Sequence, residues 1–183
     1  MLYYIHGYQS STSSTKAVLF AQTLKVYAIK YREGNPEDLV ISACLRRIAQ
    51  TIQSDPQPVL IGSSFGGFLA AATALIHPVQ QLILLNPAII PPTTSPDSIP
   101  AMPKRILNEM IEPRLFQQKV PTKIDILIGT QDTVVPNHWS LEFAKIQEAT
   151  VHFFHDDHNF TRYQVQLPEI IKKIINRETK RLS

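Results

Sequence analysis

The sequence predicts an α/β protein built on one mostly parallel, six-stranded sheet with helices on both faces. Three observations carry this expectation. Six short apolar runs recur along the 183 residues: Leu2–Ile5, Val26–Ile29, Val59–Ile61, Gln81–Leu85, Lys123–Ile128 and Thr150–Phe154. They are mostly continuous rather than alternating, as strands buried on both faces are. Segments of helical period separate them, and strands alternating with helices build parallel sheets.

Each element has its own signal. Leu2–Ile5 ends in His6-Gly7-Tyr8, and the Ser/Thr-rich loop that follows supplies caps for a helix over Lys16–Leu24. After the second strand, Asn35-Pro36-Glu37-Asp38 has the composition of a helix start, with a cap, a first-turn proline and acids at the positive dipole end. Ile41, Leu45, Ile48 and Ile52 continue it as an apolar stripe. The third strand leads through a glycine turn into an Ala-rich helix that stops at His77-Pro78. Asn137 is expected to cap a helix running to about Glu148, and a last helix is expected from near Pro168.

Between the fourth and fifth strands the composition changes. Residues 87–121 hold eight of the fourteen prolines, with one helix expected near Lys104–Glu112. The segment is too long and too apolar for a linker, so it is expected to be a lid within a single domain spanning 1–183. Ile89, Ile90, Met102 and Met110 are its candidate substrate-lining residues.

Charge and cysteine content narrow the function classes. The net charge of +3 is local: residues 161–183 carry six Lys/Arg (Arg162, Lys172, Lys173, Arg177, Lys180, Arg181) against Glu169 and Glu178. A basic end on a C-terminal helix complements the helix dipole, and no nucleic-acid motif accompanies it. The single Cys44 excludes an internal disulfide and a zinc cluster, and its place on an apolar helix face predicts a buried thiol. With no basic n-region ahead of the first strand and no apolar run of spanning length, neither a signal peptide nor a membrane span is expected, and a cytoplasmic location is. Nothing in the composition indicates oligomeric state.

The chemistry concentrates at Gly62-Ser63-Ser64-Phe65-Gly66. A β-branched run precedes it and a helix follows, the context a G-x-S-x-G nucleophile elbow requires. There a serine on a strained turn is lifted above the sheet, and the glycines let strand and helix pack closely. Phe65, next after the serine, offers a backbone N–H at a helix N-terminus. A Walker-type phosphate loop would need Gly-Lys-Ser/Thr where Gly66-Gly67-Phe68 stands. The bland alternative is a structural Gly/Ser turn.

Other candidates fall at strand ends, where ligands bind in open parallel sheets. Asp132 follows the fifth strand in Gly-x-x-Asp-x-x-Val-Pro; it suits a triad acid, and a helix cap is its structural competitor. The loop after the sixth strand holds two histidines, His155 and His158. The order Ser, Asp, His is the order of α/β-hydrolases.

On Tyr4-Ile5-His6-Gly7-Tyr8, Gly62-Ser63-Ser64-Phe65-Gly66-Gly67, Asn86-Pro87-Ala88, Asp132 and His158-Asn159-Phe160, the chain resembles the small YqiA/YcfP-type esterases of the α/β-hydrolase superfamily. The resemblance does not extend to Pro87–Pro121. It implies a trimmed α/β-hydrolase sheet of strand order 2-1-3-4-5-6, with Ser64 as nucleophile, Asp132 as acid and His158 as base. Tyr8 and Phe65 would supply oxyanion-hole N–H groups. It further implies a cofactor-free serine esterase acting on a small-molecule acyl ester or thioester. Thioester hydrolysis or acyl transfer by the same triad is one alternative, and an inactive hydrolase-fold binding protein is another. The family usually has glycines ahead of this histidine where Asp156-Asp157 stand here, and that departure keeps His155 in contention.

Overall fold

A computed structural model describes residues 1–100 and 102–179. Six strands form one sheet: β1 (Leu2–Ile5), β2 (Tyr27–Ala28), β3 (Val59–Ser63), β4 (Gln81–Leu85), β5 (Lys123–Gly129) and β6 (Thr150–Phe154). Their order is β2-β1-β3-β4-β5-β6, and every pairing is parallel. The order predicted from the sequence holds.

Side chains of alternate strand residues feed two separate cores. Val59, Ile61, Ile83, Leu85 and Leu127 face one layer, closed by α1 (Thr15–Leu24) and α7 (Leu167–Thr179). Leu60, Leu82, Leu84, Ile126 and Ile128 face the other. That layer holds α2 (Ile41–Ile52), α3 (Phe65–Ala74) and α6 (Asn137–Gln147). Cys44 is buried there, and burial pushes its thiol pKa up to about 11.

Two sequence expectations are corrected. Asn35-Pro36-Glu37-Asp38 makes only a 3-10 turn over Pro36–Asp38, and the chain then extends through Leu39 and Val40 before α2 begins. Val40 cannot cap a helix; instead the Glu109 carboxylate accepts the Ile41 N–H at 3.1 Å from 68 residues away. Asn137 is the first residue of α6, with Pro136 at the cap position, and its side-chain amide donates to the Gly129 carbonyl at 3.3 Å. Gly7 has no positive φ, and a Cβ there would meet Ser63 O and Ser64 Cβ at an ordinary 3.6 Å.

The proline-rich segment contains α4 (Lys104–Met110) and α5 (Arg114–Gln117). Ile89, Ile106, Leu107 and Leu115 bury it in the α2/α3 layer. Of the basic C-terminal residues, Lys180 and Arg181 lie outside the described residues. Among the described residues no helix is long and apolar enough to cross a membrane.

Candidate active site

Ser64 sits between β3 and α3 at φ 55°, ψ −121°. A non-glycine residue reaches that conformation only when its surroundings over-determine it. Here they do. The Ser64 N–H donates to Leu85 O at 2.9 Å, and Ser64 O accepts from Gly67, Phe68 and Ala88. The glycines are sterically required. A Cβ on Gly62 would lie 2.5 Å from Gly66 O, and one on Gly66 would overlap the Ile5 carbonyl oxygen and lie 2.6 Å from His6 O. Gly67 is equally confined, against Pro87.

The acid and one histidine meet on the far side of the cavity. His158 Nδ1 stands 2.7 Å from Asp132 Oδ2, and the Asp132 side chain is only 1% exposed. The other Asp132 oxygen accepts the Val134 and Val135 N–H groups at 2.8 and 2.9 Å, which fixes the carboxylate plane. His158 then turns its second nitrogen away from Asp132, and Ser64 and His158 line one cavity of about 490 Å³. His155 is exposed and does not line it.

Asp156 explains how the histidine loop keeps its shape. Its buried carboxylate accepts from the N–H groups of Asp157, Arg162 and Tyr163 at 2.8, 3.1 and 2.9 Å. Phe160, fully buried at φ 55°, packs edge-on against Phe154 and pins the end of the loop.

Tyr8 and Phe65 line the same cavity, and among the described residues neither backbone N–H donates to a protein acceptor. Their side chains pack edge to face, with ring centroids 5.9 Å apart. The peptide that carries the Tyr8 N–H is held through its oxygen, Gly7 O, which accepts from His6 Nδ1 at 2.9 Å and the Tyr31 hydroxyl at 3.0 Å. Burial lowers the His6 pKa, keeping the ring a neutral donor. Arg32 anchors the next turn by donating to Tyr8 O and Ser10 O at 3.2 and 2.8 Å. Tyr31 and Arg32 carried no signal in the sequence beyond their place after β2, the strand that lies beside β1.

Of the four lid candidates, Ile90, Met102 and Met110 line the cavity. Ile89 does not; it is 1% exposed in the core, because successive residues of this extended stretch point opposite ways. Ile99, Leu107, Val135 and Trp139 add to the apolar wall.

Asn86 is a second residue whose task only the structure reveals. At φ 42° and buried, it accepts the Gly129 N–H at 2.7 Å and donates to Asp157 O and His158 O at 3.2 and 3.0 Å. One side chain thus ties the ends of β4 and β5 to the histidine loop. Asn86→Asp places a carboxylate against two carbonyls and is expected to lower kcat on an activated ester by roughly 10- to 100-fold through displacement of His158. Steady-state kinetics on protein with an unchanged circular dichroism spectrum checks this; an unaltered kcat refutes it.

Comparison with known proteins places the fold. The fold is similar to that of Est1E from Butyrivibrio proteoclasticus with ferulic acid bound: TM-score 0.80, 19% identity, covering 98% of this chain and 89% of that one. It is similar to alpha/beta hydrolase domain-containing protein 10 from mouse: TM-score 0.71, 20% identity, 96% and 89% covered. It is also similar to the meta-cleavage product hydrolase CumD from Pseudomonas fluorescens IP01: TM-score 0.68, 18% identity, 97% and 90% covered. The architecture is the α/β-hydrolase fold. No curated protein matches the sequence. Residues 1–174 match the family described as "Uncharacterised protein family (UPF0227)". Because that match runs from before β1 into α7, it takes in every element that builds the cavity, and the chain belongs to the UPF0227 family.

Proposed function

We propose that this protein is a serine hydrolase that cleaves a carboxylic ester or thioester through Ser64, His158 and Asp132. One observation carries the reading: a strained serine shares a cavity with a histidine whose other nitrogen is held by a buried carboxylate. Structural turns have no need of that arrangement.

The chemistry follows from the parts. With Nδ1–H donated to Asp132, His158 presents Nε2 as a base. It takes the Ser64 proton as Oγ attacks the carbonyl carbon, and the carbonyl electrons move to oxygen. The Tyr8 and Phe65 N–H groups meet that oxyanion; removing one such donor typically costs about 3 kcal/mol. The tetrahedral intermediate collapses to the acyl-enzyme as His158 returns the proton to the leaving oxygen or sulfur. Water then repeats the sequence, activated by the same base. No step calls for a metal or an organic cofactor.

A fluorophosphonate probe tests this reading directly. It is expected to label Ser64, and Ser64→Ala is expected to abolish both labelling and ester turnover with folding intact. Labelling that persists at another serine in the variant would sink the assignment.

The acyl group is proposed to lie on the wall formed by Ile90, Met102 and Met110. Ile90→Ala should therefore shift the chain-length profile toward bulkier acyl groups. Ile89→Ala is expected to leave the profile alone and to cost about 2 to 4 kcal/mol of stability through a core cavity. Chain-length profiles and urea titrations of the two variants check the pair. The opposite ranking would put Ile89, not Ile90, in the pocket.

A further inference from the structure

The cavity straddles the carboxyl edge of the sheet, and its two halves differ in chemistry. On the α2/α3 side its wall is Ile90, Ile99, Met102, Leu107 and Met110. On the α1/α7 side it is Gln9, Ser10, Ser14, Thr15, Lys16 and Gln164. Ser64 and His158 also line it. The polar half is continuous with His158 along the chain, since Asn159 and Gln164 follow it in the same loop and also face the cavity. In acyl transfer the base returns its proton to the leaving group, so the leaving group must lie on the histidine side.

Lys16 is the one Lys, Arg, Asp or Glu among the residues that line the cavity. It is half-buried, and among the described residues its ammonium has no hydrogen-bond acceptor and no ion-pair partner. Asp157 and Asp156 attract it without a direct contact, and both carboxylates are already engaged. Asp156 accepts three backbone N–H groups, and Asp157 accepts from the Asn159 and Thr161 N–H groups and the Thr161 hydroxyl. The lysine also occupies the first turn of α1, where the helix dipole disfavours a cation and no acid of the same turn offsets it. Burial pulls its pKa down, as for an ammonium short of solvent. A cation placed against the local dipole, attracted by Asp157 and Asp156 but in direct contact with neither, and lining the cavity, is placed for an anion that arrives with the ligand.

We propose that the polar half is a leaving-group subsite in which Lys16 binds a carboxylate, so that the substrate is an acyl ester or thioester whose alcohol or thiol half carries that charge. The proposal rests on the hydrolase reading above. Two carboxylates close by favour a monoanion over a phosphate dianion, and a single ammonium lacks the forked geometry that suits phosphate.

The test uses two butyrate esters, one of 4-hydroxybenzoate and one of methyl 4-hydroxybenzoate. The methyl ester has the better leaving group, so intrinsic reactivity opposes the expected preference. Wild-type kcat/KM should nevertheless favour the carboxylate-bearing ester by about tenfold, about 1.4 kcal/mol. Lys16→Gln should bring the ratio near one, and Lys16→Glu should invert it. An identical ratio in wild type and Lys16→Gln would overturn the proposal. Binding of 4-hydroxybenzoate and of methyl 4-hydroxybenzoate to the Ser64→Ala protein gives a readout that needs no turnover. Tighter binding of the anion, lost in Lys16→Gln, supports the subsite; equal binding, or tighter binding of phenyl phosphate, overturns it. Fluorophosphonate labelling of Ser64 reports separately on the hydrolase reading, so the two fail distinguishably.

Discussion

His158→Ala is expected to lower turnover of an activated ester by three orders of magnitude or more, on the order of 4 kcal/mol of barrier. The imidazole is proposed both to remove the Ser64 proton and to deliver it to the leaving group, so both halves of the reaction lose their proton carrier. His155→Ala provides the comparison. It lies three residues earlier in the same loop, is exposed, and does not line the cavity, so its loss should cost less than about tenfold. Single-turnover and steady-state rates on both folded variants decide the matter. A larger loss in His155→Ala would overturn the assignment of the base while leaving the serine untouched.

Gly66→Ala carries the second large effect, this time on stability. The new Cβ overlaps the Ile5 carbonyl oxygen and crowds His6 O, both main-chain atoms of β1 and its end. Neither can rotate aside as a flexible side chain can. Relief requires β1 and α3 to separate, which also pulls the Tyr8 N–H away from Ser64. The expected cost is about 3 kcal/mol or more. Gly34→Ala serves as control: nothing lies within 4 Å of its Cβ, and its φ is not positive. It should change stability by less than about 0.5 kcal/mol. Chemical denaturation of the two variants measures the difference, and a Gly66→Ala protein as stable as wild type would refute the close packing of strand and helix.

The strands were legible because a strand covered on both faces must be apolar along its whole length, and that is a local property of the chain. Leu2–Ile5 and Gln81–Leu85 therefore fall where the sequence puts them. The start of α2 did not, because its first N–H is satisfied by Glu109 from the proline-rich segment, and no nearby residue announces a partner 68 positions away. Asn35-Pro36 is a sound local cap signal that the structure spends on a single 3-10 turn.

The site divides along the same line. Ser64 could be singled out from the sequence alone because the strain of the turn and the contact of Gly62 with Gly66 both act within five residues, whereas what confines Gly66 itself is the distant main chain of Ile5 and His6. The strand order 2-1-3-4-5-6 is not a local property of that kind; it was implied by the resemblance to the α/β-hydrolase superfamily. Which histidine meets Asp132, and whether Ile89 or Ile90 faces the cavity, depended on the direction of side chains in irregular loops, where no periodicity applies. Asn86, Tyr31 and Arg32 lay beyond sequence reading for a different reason. Their hydrogen bonds go to main-chain atoms of segments distant in the chain, and any residue type can present a backbone carbonyl, so the partner leaves no mark in the sequence. Lys16 reads as one more surface lysine until the fold brings the first turn of α1 to the rim of the cavity that Ser64 and His158 line.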